Sequence, residues 1–183
     1  NSLTDDDWKK YNAVIGRFTN AHIMEDRVFN LWAICARIRK YYIKYGSRIF
    51  FIDYIQLIEV NLGPRANRER EIATITRTLK KLTRELNILI IGLSQINRDL
   101  KTRSNKRPML SDLRESGAIE QDADGVVFVY RDSYYNPKNQ GFIYYDKAEL
   151  IIAKGRGTGT GTVEVGYIGK YVKFTDQYDD ATT

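Results

Sequence analysis

Arg48-Ile49-Phe50-Phe51-Ile52-Asp53-Tyr54-Ile55-Gln56-Leu57 is the stretch around which the rest of the chain arranges itself. Four apolar residues, Ile49 to Ile52, run without a polar break and stop at Asp53. A short unbroken apolar run fits a strand buried on both faces of a parallel sheet. In open α/β sheets the chemistry sits beyond the carboxyl ends of the strands. Asp53 stands there, where a nucleotide-hydrolysing domain needs an acid to order the water shell of Mg²⁺. An Asp that merely ends a strand or caps a turn reads the same way locally.

Working outward, Asn67–Asn87 has the clearest helical pattern. Ile72, Ile75, Leu79, Leu82 and Leu86 recur at spacings of three and four. It feeds into Ile88–Leu93, a second apolar run ending in Ser94 and Gln95. Strand, crossover helix, strand is the βαβ unit of a parallel sheet. Two neighbouring strands that both end in polar groups outline a site.

Upstream, Asn30 can cap a helix with Leu31, Ile34, Cys35, Ile38 and Tyr42 on its apolar face and Gly46 at its end. Thr4, followed by Asp5, Asp6 and Asp7, starts an earlier helix whose apolar face is Trp8, Tyr11, Val14, Ile15 and Phe18. A short strand near His22–Met24 fits between them, and His22 reads as structural.

Downstream, the loop from Asn97 to Ser111 holds Arg98, Lys101, Arg103, Lys106 and Arg107 against one acid, Asp99. That charge suits phosphate contacts, and the absence of aromatics argues against base stacking. A short helix around Asp112–Gln121 precedes a third buried strand, Gly125–Tyr130. Ala148–Ala153 and Thr162–Ile168 read as a β-hairpin, and Lys170–Phe174 as a last strand. The glycine-rich tip between them carries Lys154 and Arg156 outward, either as solvated cations or as a probe reaching a neighbour's phosphate.

The composition admits this picture. The chain has 183 residues, 43% hydrophobic and 28% charged, with 29 Lys plus Arg against 23 Asp plus Glu and a net charge of +6. One domain of this size can bury a core. The charge permits a polyanionic partner. No apolar run reaches the length of a membrane span, so no membrane role is expected. The single Cys35 cannot form an internal disulfide, which favours a reducing compartment. The first residue is Asn1, which suggests processing or excision from a longer chain.

Four blocks resemble the motor domain of DnaB-type replicative helicases, a RecA-like fold. They are Leu3-Thr4-Asp5-Asp6-Asp7-Trp8, Asp53-Tyr54-Ile55-Gln56-Leu57, Leu93-Ser94-Gln95-Ile96-Asn97-Arg98, and the long block from Arg107-Pro108-Met109 to Gln121-Asp122-Ala123-Asp124. A fifth, Ile151-Ile152-Ala153-Lys154 through Gly161-Thr162-Val163-Glu164, matches in outline.

The resemblance implies an α/β, RecA-like P-loop NTPase core with a parallel sheet and a C-terminal hairpin. Its parts would be a helical lead-in (1–47), a Walker B, sensor and DNA-loop region (48–130), C-terminal strands with an arginine-finger hairpin (131–176) and a tail (177–183). ATP and Mg²⁺ would be the cofactors. Asp53 looks like the Walker B acid holding Mg²⁺ through water, and Gln95 like the sensor of the γ-phosphate. Arg114, Glu115 and Gly117 match positions that contact single-stranded DNA, with Arg98 and Arg107 added from the basic loop. Lys154 and Arg156 match the pair that reaches a neighbouring subunit's ATP site, Arg156 as the finger. The implied partners are single-stranded DNA, five further copies in a homo-hexamer, a primase and a helicase loader. The implied place is the bacterial cytoplasm at the replisome, or alternatively a plastid stroma.

Two departures stand out. The hairpin tip, Gly157-Thr158-Gly159, differs from the family's usual Asn-Gly-Pro. No Gly-Lys-Ser/Thr loop occurs anywhere in the chain, so the phosphate cradle, the catalytic glutamate, the first strands of the sheet and the primase-binding region would all precede Asn1. One rival expectation is a non-motor DNA-binding or regulatory remnant. Another is a recombinase-like ATPase, against which the Arg107–Asp124 block argues.

Overall fold

The computed structural model describes residues 4–18, 29–64, 66–97, 103–135 and 146–176, and of residues 16–18 and 114–116 it describes the main chain. The expected strand at His22–Met24 and the tail from Gln177 lie outside the described residues.

Helix α1 is Asp5–Phe18. Thr4 and Asp7 cap it reciprocally: the Asp7 N–H donates to Thr4 Oγ1 at 3.3 Å and the Thr4 N–H to Asp7 Oδ2 at 3.0 Å. Helix α2 is Leu31–Tyr45, with the Asn30 side chain accepting from Trp32 and Ala33 and Gly46 closing it in the left-handed conformation. Helix α3, Arg68–Leu86, has an asparagine at each end. Asn67 accepts from the Arg70 N–H, and Asn87 turns left-handed at φ 52°.

Strand β1, Ile49–Ile52, pairs in parallel with β2, Leu89–Gly92, and α3 is the crossover between them. The expected βαβ unit is present. Ile72, Ile75, Leu79 and Leu82 on α3 join Leu31, Cys35 and Ile38 on α2 in one core with Ile55, Ile58 and Ile88. Each fully buried aliphatic side chain there contributes roughly 1.5–3 kcal/mol. Cys35 is free and buried on the apolar face of α2, and burial pushes its pKa up.

Double-sided burial of β1 and β2 is not what the structure shows. Ile49 is 57% exposed and Phe51 70%, while Phe50 and Ile52 pack on the core. Leu89 and Ile91 are open on β2 in the same way. In a strand alternate residues face opposite sides. One face lies on the α2–α3 core, and no described element covers the other. The apolar side of α1 is open too, with Trp8, Tyr11, Val14 and Ile15 exposed.

The third strand, β3 (Gly125–Arg131), also departs from expectation. Among the described residues it does not extend the parallel pair but runs antiparallel to β4 (Asp146–Gly155) in a separate sheet. Phe128 and Tyr130 are buried and Val127 and Val129 exposed, the alternation of a sheet wet on one side. The order is β3-β4-β5-β6, with β5 at Gly161–Ile168 and β6 at Lys173–Thr175. The hairpin is as expected. The last strand starts three residues late because Gly169–Tyr171 forms a 3₁₀ turn first.

The helix expected at Asp112–Gln121 divides in two. Leu110–Ser116 is 3₁₀, and α4 is Gly117–Asp122. A single helical turn, α5, spans Asp132–Tyr135.

Candidate nucleotide and nucleic-acid site

The apolar run of β1 ends at Asp53, which is exposed at the strand's carboxyl end. The chain then closes the 3₁₀ turn Ile55–Leu57. That turn is tied to the end of β2: the Ile55 N–H donates to Leu93 O at 2.9 Å, and the Leu93 N–H to Ile52 O at 2.9 Å. Gly92 is required there, because a Cβ at that position would lie 2.9 Å from Ile55 Cγ1 and closer still to Cδ1.

Gln56 completes the junction. Its amide nitrogen donates to Ser94 Oγ at 2.9 Å and to Gln95 O at 3.2 Å, and its amide oxygen accepts from the Gln95 N–H at 3.3 Å. An amide both donates and accepts, so one side chain satisfies both strand ends. The structure thus brings Asp53 and Gln95 to the same edge. Gln56 was legible only as part of the block that begins at Asp53; its role needs the register of β1 on β2. The oxygens of Asp53 and the Gln95 amide are hard donors that suit Mg²⁺ held through its waters. No group of three His, Cys, Asp or Glu side chains that could hold a metal gathers among the described residues.

The hairpin pair is engaged within the chain. Lys154 does not point outward: its ammonium donates to the main-chain carbonyls of Glu120 and of Gln121, the latter at 3.3 Å. Arg156 is half exposed and pairs with Asp124, Nη1 to Oδ1 at 3.3 Å. Its N–H donates to Asp124 O at 2.8 Å. The tip itself is tight. Gly157 and Gly159 have φ of 92° and 80°, and a Cβ on Gly155 would collide with the Thr158 hydroxyl and the Gly159 carbonyl.

The basic loop also differs from a row of free cations. Arg107 forms a two-pronged pair with Glu149, Nε to Oε2 at 2.8 Å and Nη2 to Oε1 at 2.6 Å, over the Tyr130 ring. Glu149 holds the Arg107 guanidinium pKa above its ordinary value. Arg103 pairs with Asp112 at 2.8 Å, and Lys106 donates to Tyr135 O at 3.2 Å. These three cations brace the loop against β4, α5 and the 3₁₀ stretch, and the Arg107 guanidinium is held by Glu149. Arg98 lies outside the described residues. Arg114 and Glu115 sit on the 3₁₀ main chain, and Gly117 opens α4.

Three comparisons bear on this arrangement. The family described as DnaB-like helicase C terminal domain matches residues 1–176. Similar curated proteins include the replicative DNA helicase DnaB of Geobacillus stearothermophilus, 42% identical over 98% of this chain and 40% of its own length. The replicative DNA helicase DnaC of Bacillus subtilis (strain 168) is 40% identical over the same shares. Among solved structures, a DnaB-like replicative helicase, determined to show its interactions with primase, has a TM-score of 0.86 at 39% identity, covering 97% of this chain and 42% of its own. A separately solved ATPase domain gives the same TM-score and identity over 97% of this chain and 62% of its own. The chain spans about two-fifths of the length of the curated relatives it matches. With its strand-end acid, its RecA-like α/β fold and a family match over 176 of 183 residues, this chain belongs to the DnaB-like helicase C-terminal domain family.

Proposed function

We propose that this chain is the C-terminal part of the motor of a hexameric replicative helicase, which separates duplex DNA by moving along one strand at the expense of ATP. The observation that carries the reading is the joined strand-end edge of Asp53, Gln56 and Gln95 in a chain 42% identical to a replicative helicase. Asp53 would hold Mg²⁺ through its waters, and Gln95 would sense the terminal phosphate. The cation, when bound, neutralises charge on the phosphate oxygens. Gln56 fixes the Gln95 main chain against the Asp53 turn. Arg156 supplies positive charge to the site of an adjacent copy, with Lys154 beside it. A guanidinium has five N–H donors and Asp124 engages one nitrogen, so donors remain for phosphate. The phosphate-cradling loop comes from a segment outside these 183 residues, along with the central strand that would cover the open sheet edges. Five further copies, a primase and a loader complete the assembly, which works in the bacterial cytoplasm or in a plastid stroma. Among the described residues no helix is long and apolar enough to cross a membrane.

Displacement of a labelled strand by the intact protein tests this. ATP-dependent displacement supports the motor. Tight binding to single strands with neither hydrolysis nor displacement would instead support a DNA-binding remnant.

The Arg114–Gly117 segment is the DNA loop in this reading, contacting the strand backbone rather than bases, as a protein that tracks any sequence requires. Arg114→Ala in the intact protein is expected to weaken single-strand binding alike for all sequences. The log–log salt slope should also become shallower, by about one unit at most for a single lost phosphate contact. Titrations at several salt concentrations measure both, and unchanged affinity and slope would remove Arg114 from the interface.

A further inference from the structure

The segment that joins α4 to β3 is fastened on three sides. On one side is α3: Thr76 Oγ1 donates to Asp122 Oδ2 at 2.6 Å, and one turn later Lys80 pairs with Asp124 Oδ2. On the second side is β4. Its pairing runs Val126↔Lys154 and then Val127↔Ile152, which leaves Ala153 as the extra residue of a bulge. Bulges re-aim the side chains around them. Here Lys154 reaches the carbonyls of Glu120 and Gln121, which the last turn of α4 leaves without intrahelical donors. On the third side is the hairpin tip, where Asp124 receives both the main-chain N–H and the guanidinium of Arg156.

The Asp124 carboxyl is held below the usual carboxylate range, first by the Lys80 hydrogen bond and then by the charges of Lys80, Arg156 and Arg84. It is therefore ionised at neutral pH. Both Asp124 and Arg156 are more than half exposed, so their pair contributes little to stability. What it fixes is where the guanidinium sits. At its other end, α4 begins at Gly117, next to Arg114 and Glu115. Six helical residues are about 9 Å long, a short rigid link between the 114–117 segment and the fastened end.

We infer that Asp124 is a positioning residue: it fastens Arg156 to the end of α4, so that a strand bound at Arg114–Gly117 shifts Arg156 through that helix. The inference rests on the motor reading above, because it takes 114–117 as the DNA loop and Arg156 as the finger. It assigns a carboxylate that contacts neither ATP nor DNA to the link between them.

The test is the ATPase rate of the intact protein with and without a saturating oligo-dT strand. Asp124→Asn is expected to keep the DNA-free rate within about threefold and the oligo-dT affinity unchanged. Stimulation by the strand should fall about fivefold or more, within the usual range of coupling between sites. Asp124→Glu, which keeps the charge, should recover most of the stimulation. A purely structural carboxylate would lower the melting temperature and leave the stimulation ratio alone. Asp124→Asn stimulated like wild type overturns the inference, and so does Asp124→Glu as damaged as Asp124→Asn. If Asp124→Asn melts early, Lys80→Gln decides in its place: lost stimulation supports the fastening, and full stimulation overturns it. A wild-type rate indifferent to DNA would bring down the DNA-loop reading and the fastening with it, whereas stimulation that survives Asp124→Asn removes the fastening alone.

Discussion

Replacing Arg156 by alanine in an assembled ring should lower ATP turnover by about 10³-fold, the effect typical of losing an arginine finger. The tip that carries it has no phosphate-binding loop within this chain to serve. Its glycines bring the backbone round tightly enough that a side chain at Gly155 would collide with the turn, so the tip holds a defined shape. On the motor reading, the half-exposed guanidinium, paired on one side with Asp124, would act on a neighbour's site. Mixing mutant with wild-type subunits discriminates this from action within one subunit. Each mutant should disable the site of an adjacent wild-type copy, so turnover falls below the value for independent subunits. Turnover equal to the wild-type fraction alone would place Arg156 in its own subunit's site.

The second large effect concerns the 183 residues taken alone. Hydrolysis needs a phosphate cradle, a holder for Mg²⁺ and a group that activates the attacking water. On the motor reading proposed above, Asp53 would supply the holder and Gln95 a contact to the terminal phosphate. No Gly-Lys-Ser/Thr loop is present to wrap the β-phosphate in backbone amides. Ile49, Phe51, Leu89 and Ile91 lie open on the parallel pair, and Trp8, Tyr11, Val14 and Ile15 on α1. Contiguous apolar surface of this kind drives association. The chain alone is expected neither to bind ATP tightly nor to turn it over, and to aggregate in size-exclusion chromatography. Supplying the preceding segment of the motor, fused or as a partner, should restore both solubility and turnover. A monodisperse preparation of the chain alone that hydrolyses ATP and loses that activity on Asp53→Asn would refute this.

The parts of the fold legible in sequence were those fixed by local chemistry. The caps at Asn30 and Gly46, the Asn67–Asn87 bounds and the spacing of Ile72, Ile75, Leu79 and Leu82 placed α2 and α3 within a residue or so. The parallel pair followed from the crossover helix. What failed was burial. An unbroken apolar run such as Ile49–Ile52 signals a strand that is covered on both faces somewhere, but it cannot say whether the covering residues are in the same chain. The sheet partner of β3 was illegible for a related reason. Its alternation is visible once Phe128 and Tyr130 are known to face inward, yet Gly125–Tyr130 alone reads equally well as a core strand. At the site, the sequence motifs marked Asp53 and Gln95, which the structure brings to one edge. They could not show that Lys154 and Arg107 spend their charge on Gln121, Glu120 and Glu149, because those pairings depend on the bulge at Ala153 and on the register of β4.

The Gln56 junction also bears on how the chain finds its pairing. A parallel pair only four residues long, with one face open, is weakly held in register by its hydrophobic side chains. A slip of two residues would keep every side chain on its own face and so cost little in burial. It would, however, carry Ile90 or Ser94 to the place of Gly92, under Ile55, where even a Cβ does not fit. It would also take Ser94 and the Gln95 main chain away from the Gln56 amide, leaving that amide's donors and acceptor to find water. One glycine and one glutamine therefore favour the alignment that leaves Asp53 and Gln95 at the same end of the parallel pair.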